Sequence, residues 1–286
     1  MAFKLITDSC CDLPEKYIND NGLTVIPLMF TLDGNEYSDG SMDPKEFYSR
    51  VRRGSMPTTT LINTQRYLDE FTKILEEGDD FIYIAFSSAL SGSYQCSVAA
   101  IEQLAKDYPN RRIAAIDSKC ASMGQGLLVY HTVEKQKEGL GFDELVKFIN
   151  ETWPKVCHWF TVDDLNHLKR GGRLSATSAI LGTLLSIKPV LHVDDNGKLI
   201  PMSKARGRKK SLAELVDAMK KSIKNPDGQM VMISHGDAGD EANEVAAMVR
   251  EAFPGIRDIM INNVGTVIGA HSGPGTMALF YLGEPR

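Results

Sequence analysis

The sequence predicts an α/β protein in which residues 1–155 form a parallel, helix-covered sheet and residues 156–286 form a smaller α+β domain. Three observations carry this. Short apolar runs alternate with helical patterns through the first half, as strands buried on both faces and their crossover helices do. The pattern changes after Trp153-Pro154, where a hairpin signal at Asn196-Gly197 separates two apolar runs. A length of 286 residues also exceeds what one core comfortably fills.

In chain order, Phe3-Lys4-Leu5-Ile6 reads as a strand that ends at Thr7-Asp8-Ser9 and feeds a helical stretch over Leu13–Ile18. Leu23–Leu32 is apolar with β-branched residues, Phe81–Phe86 is a continuous apolar run, and Arg112–Asp117 follows as a further strand. Helical patterns occupy Asn63–Glu77, Ser93–Asp107 and Gly126–Glu138. In the second half, Val156–Val162, Lys188–Asp194, Lys198–Ile200, Gln229–Ser234 and Arg257–Asn262 read as strands, with amphipathic helices over Ser211–Lys224 and Ala242–Phe253.

A hydrophobic content of 43% and a charged content of 24% describe an ordinary globular chain able to bury a core. The net charge of −5 offers no general attraction for nucleic acid. The start of the chain lacks the features of a secretory signal, and nowhere do about 18 apolar residues run together, so cytoplasmic location without integral membrane association is expected. Five cysteines without a CxxC pair are read as free thiols.

Four clusters could carry chemistry. Pro57-Thr58-Thr59-Thr60 places three hydroxyls before a helix that Asn63 or Thr64 caps, so it is either an anion site or a cap region. Ser87–Tyr94 follows the strongest buried strand; Gly92 admits close backbone approach, and Ser91 and neighbouring N–H groups can face a carboxylate or phosphate. It lacks both the P-loop pattern and the GxSxG elbow. Leu168–Ser175 pairs Arg170 and Arg173 across a glycine turn, and Gly269–Thr276 sets His271 in a glycine-dense loop. No histidine spacing suggests a metal, and the basic run Lys204–Lys210 reads as a solvated face or protein-docking site before a nucleic-acid site.

Thr7-Asp8-Ser9 with Asp12-Leu13-Pro14, Pro57-Thr58-Thr59, Ser87–Gln95, Asp117-Ser118, Leu168–Arg173, Lys188–Leu191 and His271–Gly275 together resemble the DegV family, in family order and over the whole chain. The resemblance implies a two-domain fatty-acid-binding protein, with a long-chain acid such as hexadecanoate between the domains. It also implies presentation of the carboxylate to an ATP-dependent fatty acid kinase subunit, so that this chain has no catalytic residue of its own. By the same resemblance Thr59 and Ser91 hold the carboxylate, Ser88, Gly92, Arg206 and His271 support it, and Arg170 with Arg173 dock the partner. The sequence departs from the family at Thr60-Leu61-Ile62, where Ser-Gln-Pro is common, which bears on the cavity wall; Lys169 is a milder variation. The competing enzyme reading is a serine-dependent hydrolase or acyl-transfer enzyme in which His271 activates Ser91.

Overall fold

The computed structural model describes residues 3–174 and 187–285. Four parallel strands form the first sheet in the order β2 (Thr24–Ile26), β1 (Phe3–Asp8), β6 (Asp80–Ala85), β7 (Ile113–Asp117). Strand β6 shows why the run is continuously apolar. Phe81 and Tyr83 pack under α3 (Thr64–Glu76) and α4 (Ser93–Asp107), while Ile82 and Ile84 face α5 (Met123–Lys137). Helix α6 (Phe142–Thr152) joins α5 on that side, and α1 (Glu15–Asp20) follows β1.

The apolar stretch Leu23–Leu32 is not one strand. Pro27 cannot donate a ladder hydrogen bond, and beyond it β3 (Met29–Leu32) leaves the parallel sheet for an antiparallel one, in the order β4 (Asn35–Ser38), β3, β5 (Thr58–Thr60). Helix α2 (Pro44–Arg52) packs beside it, capped by the Asp43 carboxylate.

The second half forms a six-stranded mixed sheet, ordered β10 (Leu199–Arg206), β9 (Ile187–Val193), β8 (Val156–Thr161), β13 (Met277–Leu282), β11 (Met230–His235), β12 (Asp258–Asn263). Helices α8 (Arg208–Ser222) and α9 (Gly239–Ala252) cover one face. Helix α5 covers the other, so it lies between the two large sheets and is buried on nearly every side. Its glycines permit this: a Cβ on Gly124 would meet His158 Nε2 at 2.0 Å, and one on Gly126 would meet the Cys11 carbonyl at 2.6 Å. One apolar cluster consequently contains Ile82 and Ile84 of the first half together with Phe160 and Phe280 of the second.

Two short helices complete the fold: α7 (Asn166–Arg170) and α10 (Thr266–Ser272). The segment expected to be a glycine-dense loop around His271 is therefore partly helical. Asp39 caps it, its Oδ1 accepting from the Thr266 N–H at 3.0 Å and the Thr266 hydroxyl at 2.7 Å, and Gly269 lets the helix settle against Tyr48 and Phe47. Through these contacts α10 reaches back to β3, β5 and α2.

Candidate functional site

Between α10, β5, the Ser87–Ser93 turn and the inner face of the six-stranded sheet lies a cavity enclosing about 1030 Å³ of empty space, its mouth included. Sheet register orders its inner wall. Phe160 faces Ala278, and one pleat further on His158 faces Phe280, its ring edge-on to the phenyl at 5.3 Å. Leu28, Phe86, Leu90 and Val267 supply the opposite, apolar wall.

One end is polar. Thr59 and His271, 212 residues apart in sequence, meet there with Oγ1 and Nε2 at 2.8 Å. Burial first, and then the charges of Arg173 and Arg170, push the His271 pKa down to about 4, so the imidazole is neutral at physiological pH. Its Nδ1 is buried without a partner among the described residues, packed so closely on Gly171 that a Cβ there would stand 2.1 Å away. A bare acceptor is better tolerated there than an unpaired N–H donor, which puts the proton on Nε2. His271 then donates to Thr59, and the Thr59 hydroxyl keeps its own proton to offer to the cavity.

Ser91 is arranged to the same effect. Its oxygen accepts from the Ser93 N–H at 3.2 Å and lies 2.9 Å from the Ser93 hydroxyl, whose oxygen in turn accepts from the Ile62 N–H at 3.1 Å. Ser91 and Gly92 open α4, where backbone N–H groups favour negative charge. Arg173, half-buried in the cavity wall, donates from Nε to the Leu90 carbonyl at 3.1 Å and from Nη1 to the Gly171 carbonyl. Among the described residues it makes no ion pair, and burial lowers its pKa.

Thr59, Ser91, Gly92, Arg173 and His271 thus line one cavity. The others go elsewhere. Ser88 turns away: its N–H donates to Asp117 Oδ1 at 3.1 Å, and its hydroxyl accepts from Lys119 at 2.9 Å. Arg206 is exposed at the end of β10 and does not line the cavity. Arg170 is exposed at the end of α7, 3.0 Å from His167 Nδ1. Ser175, the last residue of the arginine cluster, lies outside the described residues.

Two placements differ from those expected. Thr58–Thr60 are not at a helix start but form the edge strand β5, while Asn63 caps α3 through the Arg66 N–H, as the sequence allowed. His271 and Ser91 do not bond each other, since each has the different partner described above. The nucleophile–base contact that acyl-transfer chemistry uses is therefore not formed. Among the described residues no cluster of three or more acidic, histidine or cysteine side chains suits a metal ion, and no helix is long and apolar enough to cross a membrane.

The sequence pattern of the DegV family, described as a family of uncharacterised proteins, matches residues 2–284. The chain belongs to the DegV family. A DegV domain-containing protein of Clostridium perfringens is 44% identical over 287 residues, covering 99% of this chain and 98% of the relative. Among solved structures, a DegV family protein of Thermus thermophilus, described for its fatty acid binding, superposes with a TM-score of 0.91 at 29% identity, over 99% of this chain and all of that one. A stearic acid-binding protein of Eubacterium ventriosum superposes at 0.89 with 27% identity, over 99% of both chains. The DegV resemblance read from the seven motifs holds over the whole fold.

Proposed function

We propose that this DegV protein binds one long-chain fatty acid, with the carboxylate at the Thr59, Ser91 and Arg173 end and the acyl chain along the Phe160–Phe280 wall. In this proposal it is a cytoplasmic carrier of two domains that meet near residue 155. The observation that carries the proposal is a half-buried arginine with no anion among the described residues, beside the hydroxyls of Thr59 and Ser91 at one end of a cavity whose long wall carries Phe160 and Phe280. The solved relatives described as fatty-acid-binding support the choice of ligand.

Burial of apolar surface contributes about 0.8 kcal/mol per methylene, so about fourteen methylenes give a gross ~11 kcal/mol before the costs of binding. Each hydrogen bond to the charged head adds about 1.5–3 kcal/mol, enough to fix which end of the molecule faces the polar groups. Of the departure at Thr60-Leu61-Ile62, Thr60 and Leu61 line the cavity. Ile62 is buried, while Leu61 is 43% exposed at the rim and packs against Gly92, covering the entrance with an apolar side chain.

The bound carboxylate is presented to a partner such as an ATP-dependent fatty acid kinase subunit, which does the chemistry, and exposed Arg170 offers the partner a charge beside the site. Arg173 serves the carboxylate rather than the partner. Native mass spectrometry after mild purification tests the first step: one fatty acid per chain is expected, and an empty protein that refuses hexadecanoate refutes it. Thr59→Ala with Ser91→Ala should release the ligand without unfolding the chain. In a reconstituted phosphorylation assay Arg170→Glu should reduce turnover while hexadecanoate still binds.

A further inference from the structure

The cavity carries a second polar locus, built from elements that do not form the carboxylate end. Ser122, immediately before α5, lines the cavity in a backbone conformation of φ +53° and ψ −146°. A side-chain-bearing residue adopts that region only when its surroundings impose it, and glycine adopts it freely. The hydroxyl is what fixes it. Ser122 Oγ donates to Asp12 Oδ2 and lies 2.8 Å from the hydroxyl of Ser234, the cavity-facing neighbour of Ala278 in the sheet. Asp12 is itself held, its Oδ1 accepting from the Gly265 N–H at 2.9 Å.

A serine hydroxyl has one proton and two lone pairs. Among the described residues Asp12 and Ser234 are the partners of Ser122, and they leave one lone pair unused on a wall whose neighbours are Phe160, Ala278 and Phe280. An apolar chain gains nothing from that oxygen, whereas a chain bearing a hydroxyl at the right depth donates to it. We propose that Ser122 makes the cavity selective for oxygenated acyl chains, recognising a hydroxyl group on the acyl tail away from the carboxylate. The inference rests on the fatty-acid proposal above and adds the substrate class.

The test is a set of hexadecanoic acids, each with one hydroxyl at a different depth, measured against hexadecanoate by calorimetry. A hydroxyl buried without a partner weakens binding, so most isomers should lose about thirtyfold or more, while one or two adjacent isomers bind within about threefold of hexadecanoate or better. Ser122→Gly removes the hydroxyl and suits the backbone. It should cost the favoured isomer about tenfold and leave hexadecanoate within about threefold. Ser234→Ala is the second variant and should shift the same isomer in the same direction. If hexadecanoate binds but no isomer is favoured, or if both variants leave the ratio unchanged, the inference fails and the fatty-acid proposal stands. If neither kind of acid binds, the fatty-acid proposal fails with it.

Discussion

Two polar clusters, one buried and one half-buried, lie near the carboxyl ends of the parallel strands, and they differ in whether their central charged group has partners that match it. The Asp8 carboxylate accepts from the Tyr83 hydroxyl and the Phe86 N–H at 2.8 Å, the Cys10 N–H at 3.1 Å and the Gln125 amide at 3.2 Å, while Tyr83 also meets Tyr67 at 2.7 Å. The Thr59, Ser91, Arg173 and His271 cluster has a guanidinium without an anion and an imidazole nitrogen without a partner among the described residues. Among the described residues Gln125 Oε1 is the one unpartnered atom beside Asp8, while the carboxylate itself is met by four donors; a charge matched from within serves the fold, and one left without a counter-charge is matched by something else. Variants of the first should therefore change stability and variants of the second should change binding.

The largest effect is expected at Asp8. Replacement by Leu strands the Phe86 and Cys10 N–H groups and the Tyr83 hydroxyl in the core, each at about 1–3 kcal/mol, so the loss should be roughly 4 kcal/mol or more. Urea unfolding at neutral pH measures it. A variant with unchanged stability would remove the distinction between the two clusters.

Next in size is a pH effect at the same residue. Burial raises the Asp8 pKa from 3.8 to about 6, against the hydrogen bonds that hold it lower. The native state thus binds the proton more tightly than the unfolded chain does. The stabilisation from this group is complete below about pH 4 and is lost as pH rises through about 6, a change of about 3 kcal/mol. Subtracting the stability curve of Asp8→Asn, which does not titrate there, from that of the unaltered protein should leave a fall of this size across that window.

These two clusters were not equally legible in the sequence. The hydroxyls following β6 were visible because a strand buried on both faces announces its own end, and Ser91, Gly92 and Thr59 do line one cavity. The pairing of Thr59 with His271 is not visible there, because it depends on α10 crossing back to β5, and that helix arises in a glycine-rich segment of poor intrinsic propensity, where Asp39 caps it and tertiary packing holds it. Strand β13 at the centre of the second sheet is obscured for a related reason, since the six residues Met277–Leu282 directly follow the same glycine-rich turn. Ser88 and Arg206 show the opposite error. Each is a site residue by the family resemblance, yet the side-chain direction set by the turn or strand takes it outside the cavity.

In the second cluster Arg173→Gln should weaken hexadecanoate by about thirtyfold, as expected for loss of a charge-assisted bond of about 2 kcal/mol. Thermal stability should hold or rise, because a half-buried cation with no counter-ion among the described residues is removed. Stability lost along with affinity would make Arg173 part of the scaffold, tied to it through the Leu90 carbonyl.

The smallest effect separates a group that touches the ligand from one that acts through another. If Nε2 of His271 donates to Thr59, His271 orients the threonine hydroxyl without itself contacting the carboxylate. His271→Ala and Thr59→Ala should then each weaken binding by roughly tenfold, about 1.5 kcal/mol, and the double variant should lose little more than either alone. Additive losses would mean that the imidazole meets the carboxylate independently. Nitrogen chemical shifts of the ligand-free protein at neutral pH provide a second check, for they should show a neutral ring protonated at Nε2, and a ring protonated at Nδ1 would reverse the direction of the relay.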